Sequence, residues 1–221
     1  HLVGRVLSAL DELDLAQSTV ILFTSDNGGH PNYAANGPLR GSKWNLYEGG
    51  IRVPLIVRWP GVVKPGTTSA EPVTGCDVFP TFREIAGAEE DDLERDGRSL
   101  VPLLRGERGF DEPRPLVWHF PYYHPEKGFN EAPARIGVND FVTSQTRPHS
   151  AIRLGSQKLI HFYEDNRDEL YDLAADVSEQ HNLAAAKPAQ TRELRQRLDA
   201  YLKRVNARLP LANGQAHGAS K

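Results

Sequence analysis

An aspartate and an asparagine stand side by side, Asp26 and Asn27, after a run of β-branched and aromatic residues from Thr19 to Thr24 and before Gly28 and Gly29. Both side chains offer oxygen, the donor that hard cations such as Ca²⁺ and Mg²⁺ select. Lys43, 17 positions after Asp26, adds an ammonium, a compact point charge that can hold anionic oxygens. Strand, Asp, Asn and Gly is equally ordinary turn chemistry, because Asx side chains bond their own backbone and glycine accepts positive φ. Residue type alone leaves both readings open. His30 follows the turn directly and can reach a substrate. Glu48, ahead of Gly49 and Gly50, reads as a brace for its loop, and Arg40 as part of the loop's structure. His119 and His124 stand in an aromatic stretch that follows a strand. Cys76 has no second cysteine to pair with and reads as a small buried residue near a helix start.

The elements that must position these groups follow from periodicity and breakers. Residues 2 to 15 repeat apolar positions at helical spacing, and the buried strand 19 to 25 follows. In open α/β sheets, ligands bind beyond the carboxyl ends of strands, which places Asp26 and Asn27 at such a tip. Pro31 to Ser42 is loop. A second strand runs from about Leu55 to Trp59, since Pro54 cannot sit inside it. Residues 76 to 87 predict a helix, with Asp77 as N-cap and Gly87 as its stop. Residues Ser99 to Arg105 predict a short helical turn, and Pro115 to Phe120 a strand leading into the aromatic loop. SAIRL and QKLIHFY flank Gly155 and Ser156 as a hairpin, with a further strand at Glu169 to Leu173. From Pro188, Leu194, Leu198, Tyr201, Leu202, Val205 and Leu209 line one face of a long helix whose other face is basic and reads as solvated. The acids between Glu89 and Asp96 lack EF-hand spacing and read as a solvated loop.

Composition narrows the classes. Among 221 residues, 26 Lys and Arg against 29 Asp and Glu leave a net charge of -3, which gives no pull toward nucleic acid. No apolar run reaches the length of a membrane span. The chain has no Met and opens within a helical pattern, so the expectation is a piece of a longer protein.

The order SDNGG, then LRGSK, then YEGGIRVPLIVRWPG resembles the second half of the catalytic domain of type I sulfatases, in the alkaline phosphatase superfamily. The likeness continues through CDVFPTFREIAG, WHFPYYH, SAIRLGSQKLIHFYED and ELYDLAADVSEQHNLA. The resemblance implies an α/β fold: the C-terminal part of an alkaline-phosphatase-like sheet-and-helix domain (residues 1–110), then a small α+β subdomain with antiparallel strands and a long C-terminal helix (residues 111–221). It implies that Asp26 and Asn27 ligate a divalent cation, Ca²⁺ or Mg²⁺, that Lys43 is catalytic and binds the sulfate group, and that His30 and His119 line the substrate site. The implied reaction is sulfate ester hydrolysis, with a sulfated carbohydrate as substrate and a periplasmic or secreted setting. A phosphomonoester or phosphonate hydrolase of the same superfamily, or a non-catalytic binding module, are the alternatives.

The formylglycine nucleophile of that family arises from a C/S-x-P-x-R motif, which this sequence lacks; Cys76 and Ser99 have the wrong neighbours. The paired acidic ligands and the upstream Lys and His of the family are absent too. The expectation is therefore that these residues need the missing N-terminal part of the same protein, and that the chain alone binds Ca²⁺ weakly and hydrolyses nothing.

Overall fold

Two apolar-rich runs, His149–Leu154 and Gln157–Phe162, flank the two-residue turn Gly155–Ser156 and pair as a hairpin. The structure is a computed structural model describing residues 1–30, 33–89, 93–107, 109–110, 112–122 and 147–210. Its elements are α1 (Leu2–Glu12), β1 (Ile21–Thr24), α2 (Glu48–Ile51), β2 (Leu55–Arg58), α3 (Val78–Ile85), α4 (Val101–Leu104), β3 (Leu116–Phe120), β4 (His149–Leu154), β5 (Gln157–Phe162), β6 (Arg167–Asp172) and α5 (Pro188–Arg204). His124 and most of the aromatic loop, Glu90 to Asp92 of the acidic run and the tail from Ala212 lie outside the described residues.

The chain divides into two compact units, residues 1–25 with 54–113 and residues 26–53 with 114–221. In the first, β1 pairs with β2 antiparallel, from Ile21 opposite Arg58 to Thr24 opposite Leu55. The expected buried strand is half open, with Phe23 and Ile56 exposed. The strand-tip rule for parallel sheets therefore does not follow from this pair. Helix α1 buries none of its residues. Asp77 does not cap α3 through its side chain. Buried, it accepts from Thr74 N–H and Arg98 N–H, both at 2.8 Å, and so ties the segment before α4 to the 3₁₀ turn Gly75–Asp77. Asp77 is the inward residue of that turn, and Cys76 consequently faces solvent, contrary to the buried cysteine expected from sequence.

In the second unit, β3 to β6 form one antiparallel sheet in chain order. The hairpin closes at Gly155, whose φ of 60° suits the tight turn, with Leu154 opposite Gln157. Side chains alternate between faces. On one face, Ile152, Leu159 and Leu170 pack against Leu194, Leu198 and Leu202 of α5. On the other, Ala151, Ile160, Phe162 and Tyr171 pack against Leu46 and Tyr47. Helix α5 stops at Arg204 because Asn206 takes a φ of 49° and Ala207 N–H turns back to Leu202 O. Val205 and Leu209, expected on the apolar face, lie beyond the helix and are exposed.

Candidate functional site

The turn at Gly28 and the segment around α2 approach so closely that only glycine fits. A Cβ on Gly28 would lie 1.8 Å from Gly49 O, and one on Gly50 2.0 Å from Asn45 O. Gly28 N–H donates to Gly50 O at 2.8 Å, and Lys43 N–H to Gly29 O at 3.0 Å. Asn36 spans the gap, donating to Gly29 O at 3.2 Å and Gly41 O at 3.0 Å while its oxygen accepts from Gly29 N–H. Backbone hydrogen bonds thus bring Lys43 to the turn that carries Asp26 and Asn27.

Asp26 is exposed and Asn27 half-buried. The Asn27 amide nitrogen donates to Asp26 Oδ2 at 2.6 Å. The donor set, one carboxylate and one amide oxygen, fits a hard cation, but as a minority of the about six to eight oxygens that Ca²⁺ takes. Among the described residues no three His, Cys, Asp or Glu side chains converge as a metal cluster. Lys43 Nζ stands 5.3 Å from the Trp44 ring centroid. His30 stacks on Tyr33, centroids 4.8 Å apart, and meets Trp44 edge-on at 4.9 Å.

Beneath this turn, Glu48 reaches the inner face of the sheet. Its Oε1 lies 2.9 Å from Lys158 Nζ, and its Oε2 lies 3.4 Å from Arg52 and 3.8 Å from Arg153. Lys158, fully buried, also lies 2.8 Å from Glu179 Oε1, a charge contact without hydrogen-bond alignment. Glu179 Oε2 accepts from Glu48 N–H at 2.6 Å. Burial pushes the Glu48 carboxyl up, yet Lys158 with Arg153 and Arg52 outweighs it, and the pKa is lowered. At Glu179 burial wins, and the pKa is raised. Arg40 stacks over Tyr47 at 4.1 Å and donates to Tyr171 Oη and Glu179 O, and Tyr47 and Tyr171 both donate to Glu169. Glu48 is the brace expected of it, and Arg40 is structural.

His119 sits elsewhere. Alternation along β3 puts it on the α5 side of the sheet, where Nε2 donates to Arg208 O at 2.9 Å and Nδ1 meets Ser150 Oγ at 2.6 Å. Leu46 and Tyr47 pack on the opposite side, so His119 is not brought together with Lys43. Lys158 and Glu179 were not singled out from sequence. Lys158 was findable, being in phase with inward-facing Ile160 and Phe162; Glu179 carries no local signal.

The family described as N-sulphoglucosamine sulphohydrolase, C-terminal, matches residues 42–208. A sulfatase of Formosa agariphila is 37% identical over 217 residues, covering 92% of this chain and 36% of that protein. Steryl-sulfatase of Mus musculus is 37% identical over 241 residues, covering 96% of this chain and 36% of that protein. A structure solved in complex with its substrate D-glucosamine-2-N,6-O-disulfate superposes with a TM-score of 0.67 at 30% identity, over 94% of this chain and 38% of that one. The phosphonate monoester hydrolase of Silicibacter pomeroyi gives 0.65 at 25% identity, over 91% and 38%. The chain thus spans about a third of the length of the curated relatives it matches.

Proposed function

The chain belongs to the sulfatase family, matching its C-terminal region, and from that membership we propose that the whole protein hydrolyses sulfate esters to inorganic sulfate and an alcohol. Its substrate in this reading is a sulfated carbohydrate, supported by the likeness to a structure holding a sulfated glucosamine. Lys43 holds the sulfate oxygens as a point charge where negative charge must be kept still. Asp26 and Asn27 hold the divalent cation, Ca²⁺ or Mg²⁺, which when bound supplies Lewis-acid polarisation of the sulfuryl oxygens. His30 borders the same turn as a substrate contact; His119 stays outside this reading because both ring nitrogens are engaged on the α5 side. The formylglycine nucleophile and the remaining ligands belong to the N-terminal part of the same protein. No helix among the described residues is long and apolar enough to cross a membrane, and the reading extends to a periplasmic or secreted setting.

The observation that supports the proposal is the hydrogen bond from Lys43 N–H to Gly29 O, which ties the backbone at Lys43 to the turn that follows Asp26 and Asn27. In the full-length enzyme, Lys43→Glu is expected to lower sulfate release from sulfated saccharides by about a hundredfold or more. Its melting temperature should stay within about 2 °C of wild type, because the half-buried ammonium makes no ion pair among the described residues. Retained turnover removes Lys43 from the mechanism. Hydrolysis of phosphonate monoesters in preference to sulfate esters moves the protein to the phosphonate branch.

A further inference from the structure

We propose that Tyr33 and Trp44, with His30 between them, form the stacking subsite for the sugar ring that bears the sulfate ester. The inference rests on the reading of Lys43 as the sulfate-holding residue and adds which groups hold the leaving group.

Geometry carries it. Tyr33 N–H and Ala34 N–H both donate to His30 O, at 3.1 and 3.0 Å, and the Tyr33 ring lies over the imidazole at 4.8 Å, 27° from parallel. One face of Tyr33 is backed by His30 while the residue stays 86% exposed, an unusual display for a large aromatic side chain held by a stack. Trp44 has a φ of 80°, a region where a bulky residue stays only when its surroundings fix it. The bonds from Lys43 N–H to Gly29 O and from Asn45 N–H to Ser42 O hold it on either side. Its ring lies against the Lys43 ammonium and edge-on to His30. Trp44, His30 and Tyr33 therefore stand in series, the first of them 5.3 Å from the Lys43 ammonium, so a sugar ester-linked to a sulfate held there meets Trp44 at the start of the series. A pyranose suits this ridge, presenting C–H groups to an aromatic face and hydroxyls to the imidazole between the two rings. A wholly apolar ring system would instead call for an enclosing wall.

The test uses the full-length enzyme with monosaccharide 6-sulfates and 4-nitrophenyl sulfate. Tyr33→Ser and Trp44→Gly are each expected to raise KM for the sugar sulfate about five- to tenfold, with kcat within about twofold. Tyr33→Phe, which keeps the ring, should retain the wild-type KM. Glycine at position 44 accepts the positive φ, so that variant removes the ring without straining the backbone; if it fails to fold, Tyr33→Ser decides. Unchanged KM in Tyr33→Ser, or a loss confined to kcat, overturns the subsite while leaving the sulfatase reading intact. A KM rise for the aryl sulfate but not the sugar overturns the assignment of the occupant. A wild-type enzyme that releases sulfate from neither substrate overturns the sulfatase reading, and the subsite with it.

Discussion

His149 accepts from Leu46 N–H through Nε2 at 3.0 Å and donates through Nδ1 to Arg147 O at 2.7 Å. An imidazole that accepts at one nitrogen is neutral, and its protonation breaks the bond to the segment that carries Lys43. Burial, with Lys158 and His119 adding to it, lowers its pKa from 6.5 to about 4. The unfolded chain therefore binds a proton that the folded one refuses, so this contribution is complete above pH 6.5 and is lost as pH falls toward 4. Between about pH 7.5 and about pH 5 the loss comes to about 2 kcal/mol. Glu48 and Asp168, whose pKa values are lowered, lose their contributions at more acid pH, and Glu179, raised by burial, works in the opposite direction. The comparison that isolates the imidazole is His149→Gln, whose amide oxygen can accept from Leu46 but does not titrate. Denaturant unfolding should show the variant less stable at neutral pH, with its acid-side slope flatter by about 2 kcal/mol over the same range. Parallel pH profiles would remove His149 from the linkage.

At the scale of elements, α2 is one turn long and contributes little helix of its own; Lys158 of β5 and Glu179 of the segment after β6 hold it through Glu48. Lys158→Met leaves two carboxylates buried without their ammonium, a loss of about 3 to 5 kcal/mol. Adding Glu48→Gln and Glu179→Gln should recover part of it, since neutral amides need no counter-charge. Denaturant midpoints of the single and triple variants check the order; a triple variant no better than the single one would mean that packing, not charge, holds α2. The candidate site was legible only in part for the same reason. Asp26, Asn27 and Lys43 stand in a local pattern of chemistry and turn residues, whereas the close backbone approach at Gly28, Gly49 and Gly50 involves partners that no local pattern names. Glu179 and Arg40 act across the fold, through contacts 131 to 139 positions apart, which no local window contains.

Over the whole molecule, the elements that read most clearly are those whose burial is complete. The strands β4 and β5 read as apolar-rich runs on either side of the Gly155–Ser156 turn and the Leu194, Leu198, Leu202 stripe of α5 follows the helical period; with both sheet faces covered, a one-residue slip would invert every side chain. The direction of the β1–β2 pair and the outward Cys76 were not legible, since four-residue strands with mixed exposure impose no such period. The same contrast predicts how stability is distributed. Among the described residues of the unit 1–25 and 54–113, the buried apolar ones are Ala16, Leu100 and Val101, while Leu2, Val6, Phe23, Ile56 and Phe79 stay exposed. In the other unit, Ala151, Ile152, Leu159, Ile160 and Phe162 have no exposed surface at all. Opening free energy follows buried apolar contact. Native-state hydrogen exchange on the 221-residue chain should therefore find the slowest amides in β4 and β5, with α1, β1 and β2 exchanging by openings smaller by several kcal/mol, about the burial of two or three large side chains. Equal protection in the two units would show that the exposed apolar side chains of the first are covered in solution, for instance by self-association, which dilution would then reverse.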